Sequence, residues 1–106
     1  MACEFLINNE KLNYIKDNIS DASLYEQMAE ECVELSHALL KAARILRNEN
    51  PTPTKWKEAL SNVEEEYTDV DLVATLLEIH PNYSTQAYKL DRWIFRIKNE
   101  KDNTNV

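Results

Sequence analysis

A chain of 106 residues with 12 basic and 19 acidic side chains carries a formal charge of −7 and contains no glycine. That length suits a single domain, residues 1–106, large enough to bury a core. The acidic balance disfavours a nucleic-acid partner and a polybasic membrane surface, and the lack of glycine disfavours β-hairpins and Gly-rich phosphate loops.

The first element expected is a modest helix over residues 4–18, with Phe5, Leu6, Leu12, Tyr14, Ile15 and Ile19 at rough helical spacing and a polar interruption at Asn8-Asn9. Ser20 to Ser23 break it, and Ser23 with Glu26 forms a capping-box pattern for the next helix. That helix is expected from about Leu24 to Leu46, with Leu24, Met28, Cys32, Leu35, Leu39 and Leu46 forming a long apolar stripe and Ala42 and Ala43 filling between. Pro51 and Pro53 close it. A third helix is expected from a Thr54 N-cap to about Ile79, with the stripe Trp56, Leu60, Val63, Tyr67, Val70, Val73 or Ala74, and Leu77. The fourth, about Tyr83 to Lys98, carries Ala87, Leu90, Trp93, Ile94 and Ile97; residues 99–106 read as a frayed polar tail. Short loops between long helices imply an all-α, antiparallel bundle of about four helices. No apolar run reaches membrane length and no basic–apolar leader opens the chain. Cys3 and Cys32 have no pairing logic, so the expectation is a soluble cytoplasmic protein with reduced thiols.

Two acidic signatures stand out. Glu31 and Glu34 lie three residues apart on the second helix, as do Glu66 and Asp69 on the third, so each pair shares a helix face. Each pair also interrupts an apolar stripe: Glu31 falls between Met28 and Leu35, and Glu66 between Val63 and Val70. A lone acidic pair is usually a solvated surface. Two pairs set into apolar stripes on antiparallel helices imply converging carboxylates, which a hard divalent cation relieves. Mg²⁺, with Mn²⁺ as a substitute, suits an all-oxygen ligand set and leaves positions for substrate phosphates; Glu30 is then free to orient or deprotonate water.

Other residues carry weaker signals. Lys41, Lys89 and Arg92 are candidate phosphate-holding cations, although pairing with the excess acids is the blander account of any one of them. His37 and His80 form no zinc pattern; His37, three residues after Glu34, could hydrogen-bond within the site, although a structural histidine is the commoner case, and Asp71, off the Glu66–Asp69 face, reads as a structural ion-pair residue. Trp56 and Trp93 have the chemistry to stack a base, but tryptophan on a helical apolar stripe is more often core.

The run Glu30-Glu31-x-x-Glu34 followed by Glu66-x-x-Asp69 resembles the signature of the MazG-like, all-α nucleoside triphosphate pyrophosphohydrolases. Leu35, Ala38-Leu39, Lys41, Asn62 to Val70 and Lys89 to Arg92 add to the likeness, which covers roughly residues 24–98 and is strongest to short, phage-type single-domain members. Residues 35–65 make a longer spacer than is usual in that family, and Thr68 stands where a small residue is common. The resemblance implies Mg²⁺ ligation by Glu31, Glu34, Glu66 and Asp69, with Glu30 as the water partner. It also implies hydrolysis of (deoxy)nucleoside triphosphates to monophosphate and pyrophosphate by a homodimer or homotetramer, for nucleotide-pool sanitation or control. Phosphoribosyl-ATP pyrophosphohydrolase, which shares the acidic helical device, is the near alternative. A non-catalytic helical interaction or regulatory protein is the distant one.

Overall fold

The computed structural model describes residues 8–49 and 55–104, with side chains through residue 102. Four helices and no strand occur among the described residues: α1 (Asn9–Asn18), α2 (Asp21–Leu46), α3 (Trp56–Leu76) and α4 (Tyr83–Thr104). The all-α expectation therefore holds. No helix among the described residues is long and apolar enough to cross a membrane.

The helix ends show which polar side chains win the capping positions. Asn8, expected as an interruption within a longer helix, instead starts α1: its side-chain oxygen accepts the Glu10 and Lys11 N–H groups at 2.8 and 3.3 Å. Residues 4–7 of the expected first helix lie outside the described residues. α2 begins earlier than the Ser23–Glu26 pattern suggests, because Ser20 accepts the Ser23 N–H at 3.2 Å and brings Asp21 into the positive first turn. α3 follows Lys55, which makes no side-chain cap; the expected cap Thr54 lies outside the described residues. Asn82 starts α4, its side-chain oxygen accepting the Thr85 N–H at 3.0 Å.

A chain without glycine still needs left-handed residues to end its long helices, and it uses Asn48 and Glu78, both at φ 58°. After α2, the Glu49 N–H donates to the Arg44 carbonyl at 2.8 Å and the Asn48 N–H to that of Ile45 at 3.1 Å. After α3, the Ile79 N–H donates to Ala74 at 2.9 Å and the Glu78 N–H to Thr75 at 3.1 Å. Each is a complete Schellman motif. The second ends α3 at Leu76 rather than at Ile79. At the other boundary, α4 continues through the expected tail to Thr104, since nothing after Lys98 breaks a helix and Glu100 and Lys101 are good helix formers.

α2 and α3 form the packed heart of the chain and run antiparallel: Glu34 lies across from Glu66, Lys41 from Ala59, and Tyr25 from Leu76. The buried residues are Leu24 and Ala42 of α2 and Ala59, Val73 and Leu76 of α3. With the half-buried residues between them, the contact stripes are Leu24, Met28, Glu31, Leu35, Ala38, Ala42 and Ala59, Val63, Glu66, Val70, Val73. Both alternate steps of four and three, the spacing that keeps one seam facing a partner helix.

The seam corrects the expected stripes. Cys32, Leu39 and Leu46 on α2, and Trp56, Leu60 and Tyr67 on α3, are exposed rather than inward. Each helix carries two overlapping apolar stripes, and the pair that meets contains Ala42 and Ala59, whose small side chains allow close approach. The bulkier stripes are left facing out.

α1 touches only the far end of the hairpin, where Lys16 Nζ lies 3.5 Å from Glu78 Oε1. α4 departs furthest from expectation. Every described side chain on it is exposed, including Leu90, Trp93, Ile94 and Ile97. The chain forms a two-helix hairpin with a short brace and a projecting helix, not a closed four-helix bundle. Its radius of gyration, 18.7 Å, exceeds the roughly 13 Å of a compact domain of this size.

A candidate metal centre between two helices

Glu31 and Glu66 occupy positions on the α2–α3 seam that apolar residues would ordinarily fill. Asp69, one turn after Glu66, reaches the same place. One carboxylate oxygen from each of Glu31, Glu66 and Asp69 lies within 4.8 Å of the other two, and all three residues are half-buried. Gln27, one turn before Glu31, donates its amide N–H to Glu31 Oε1 at 2.7 Å and holds that carboxylate in place.

The electrostatic signature falls on Glu66. Its carboxyl is held above the ordinary 4.5, first by partial burial between the helices and then by the charges of Asp69, Glu34, Glu65 and Glu31. The group at the centre of the cluster thus resists ionisation when only carboxylates surround it. The donor set is all oxygen, hard and anionic, which fits Mg²⁺ or Mn²⁺ rather than a thiophilic ion.

Glu34, expected as a fourth ligand, is exposed and stands at the edge of the cluster. It lines an open groove of about 340 Å³ with His37, Ala38, Lys41, Ala59, Asn62 and Glu66. Glu66 is therefore shared between the cluster and the groove. Lys41 is half-buried there and is the cation that the fold brings beside the acids. His37, whose spacing of three from Glu34 puts it within reach of the site, lines this groove, and Asn62, which carried no signal of its own, lies there because it precedes Glu66 by one turn.

The remaining expected residues lie elsewhere. Glu30 is exposed, and its charge is not among those that bear on Glu66. Lys89 and Arg92 line a different groove, of about 530 Å³, at the start of α4 with Pro81, Asn82, Trp93 and Arg96. Arg92 also lies over the Tyr88 ring, 5.9 Å from its centre. Asp71 faces away from the cluster and lines a third groove with Tyr67, Val70, Ala74, Ile79 and His80. Cys32 is an exposed free thiol, while Cys3 lies outside the described residues.

Compared with family models, curated proteins and solved structures, the chain matches none of them.

Proposed function

We propose that this protein is a divalent-metal-dependent nucleotide pyrophosphohydrolase, releasing pyrophosphate from nucleoside or deoxynucleoside triphosphates. The observation that carries the reading is the convergence of Glu31, Glu66 and Asp69 on a helix seam, beside a groove that also contains Lys41. The acidic signatures that resemble the MazG-like pattern fall on these same residues. A Mg²⁺ ion held by the three carboxylates, with Glu34 at the open edge, would neutralise triphosphate oxygens and stabilise charge developing on the pyrophosphate leaving group.

The chain's own residues divide the remaining work. Gln27 fixes the Glu31 carboxylate, so one ligand is held before metal arrives. Lys41 offers a positive charge to a phosphate lying in the groove. Glu30, solvent-exposed beside Glu31, is assigned the water-orienting role. A self-associating, cytoplasmic enzyme of nucleotide-pool control fits this chemistry.

The test is pyrophosphate release from a panel of triphosphates, with and without Mg²⁺, for the wild type and for Glu66→Ala. The reading requires metal-dependent formation of monophosphate and pyrophosphate that disappears in the variant while the helical circular dichroism is retained. Undiminished turnover in Glu66→Ala or in excess chelator would overturn it.

A further inference from the structure

Glu31 enters the carboxylate cluster with one of its oxygens already engaged. The Gln27 amide donates an N–H to Glu31 Oε1 at 2.7 Å, across one turn of α2. A spacing of four puts both side chains on one face of that helix, so the contact is made within α2 and takes nothing from α3. A hydrogen bond of this length to an ionised carboxylate belongs with the stronger kind, and it draws Oε1 toward the turn before Glu31. Gln27 is exposed and neutral, whereas Glu31 is half-buried on the seam. The tether therefore adds no charge to a cluster already made of Glu31, Glu66 and Asp69.

Such a tether bears on which cation the cluster takes. Mg²⁺ accepts about six oxygens in a strict octahedron and keeps waters among them, so few protein oxygens suffice. Ca²⁺ takes roughly six to eight at longer distance, and it commonly reaches that number by drawing both oxygens from a carboxylate. The cluster brings one oxygen from each of Glu31, Glu66 and Asp69 within 4.8 Å of the others. Three oxygens and water complete the smaller ion's shell, whereas the larger one needs a carboxylate to turn and supply its second oxygen. We propose that Gln27 is a selectivity-determining residue: by holding Glu31 Oε1 it restricts that carboxylate to one oxygen toward the cluster and so favours Mg²⁺ over Ca²⁺. The amide acts by restraining rotation. A side chain of similar size that cannot donate leaves Glu31 able to turn both oxygens inward. This role for Gln27 rests on the metal-binding reading of the cluster but not on hydrolysis, since a cation-binding protein without turnover would show the same preference.

Isothermal titration of the full chain with magnesium chloride or calcium chloride alone, without nucleotide, reads the preference directly. The wild type is expected to bind Mg²⁺ more tightly than Ca²⁺. Gln27→Ala and Gln27→Met, which keep helix propensity at an exposed position, are expected to narrow the ratio of the two Kd values at least about tenfold, the lower range for partners of metal ligands. The narrowing should come mainly from tighter Ca²⁺ binding. A wild type that prefers Ca²⁺ would overturn the proposal, as would an unchanged ratio in either variant. Parallel losses of both ions would make Gln27 a general support of the site and overturn it equally. A wild type that binds neither ion would sink it together with the metal reading. A ratio that narrows as expected in a protein releasing no pyrophosphate would sustain the role of Gln27 and sink only the enzymatic reading. Retained helical circular dichroism in both variants separates altered binding from lost folding.

Discussion

The α2–α3 hairpin and α4 both carry apolar stripes and use them in opposite ways. The hairpin buries Leu24, Ala42, Ala59, Val73 and Leu76 on a close seam and sets carboxylates into it. α4 carries four aromatic side chains, Tyr83, Tyr88, Trp93 and Phe95, and the aliphatic Leu90, Ile94 and Ile97, all of them exposed. The difference lies in what small residues permit. Ala42 and Ala59 let two helix axes approach, whereas the Leu90–Ile97 stripe is bulky and is exposed among the described residues. Local helical order therefore does not imply shared stability: α4 can be a well-formed helix and contribute little to the folding of a single copy.

The largest effect should come from breaking the seam. Leu24→Ala is expected to destabilise the protein by about 2–4 kcal/mol, read from urea unfolding. Leu90→Ala should change the stability of dilute, monomeric protein by less than about 0.5 kcal/mol, since that side chain is already exposed. Equal losses from both would erase the distinction drawn between the regions. Next in size is chemistry: Asp69→Ala should lower kcat/KM for triphosphate hydrolysis at least about 100-fold, because loss of a direct ligand should match or exceed the upper range for outer-shell changes.

Metal and pH should sharpen the contrast further. Mg²⁺ at a hundredfold excess over its Kd should stabilise the hairpin by about 2.7 kcal/mol, seen as a rise in Tm, with no corresponding gain in Glu66→Ala. Without metal, the raised Glu66 pKa sets the sign of the pH dependence. Between its ordinary 4.5 and its higher folded value, the folded state binds more protons than the unfolded state. Stability contributed by this group is thus full below the unfolded pKa and falls as pH rises through the folded one. Glu66→Gln should flatten that slope, and saturating Mg²⁺ should replace the proton and do the same. The smallest effect concerns the α3–α4 corner. Glu78→Gly should stabilise by about 0.5–1 kcal/mol by relieving the left-handed backbone, even though it removes the weak surface pair with Lys16.

Much of the helical layout was legible because its signals are local. Prolines at 51, 53 and 81 and the periodic runs between them locate three long helices to within three residues at every end except that of α4, which runs six residues past Lys98. Which stripe faces inward was not legible in the same way. Cys32, Leu39 and Leu46 are as apolar as the residues that pack, and nothing local separates them from the stripe through Leu24, Met28, Leu35, Ala38 and Ala42 that lies on the seam. That choice also determined the site. Rotating α2 toward Ala38 and Ala42 brings Glu31 fully onto the seam and leaves Glu34 at its edge, so three of the four expected ligands form the tight group. Lys89 and Arg92 are candidates in sequence because they border the Leu90–Trp93 stripe, but that stripe is exposed and both cations line a groove apart from the acids. Glu78 gave no warning in sequence, since glutamate is an unusual residue for a left-handed helix end.

The two tryptophans happen to divide between the regions. Trp56 opens α3 and Trp93 sits at the middle of the α4 stripe; both are exposed, by 42% and 63%. The chain therefore carries one tryptophan on each half. In a Trp56→Phe background, the emission maximum reports the polarity around α4 alone. Water-like emission at nanomolar protein that moves to the blue on concentration would follow the burial of Trp93 as it occurs. The reciprocal Trp93→Phe protein would show how far the hairpin senses the same event.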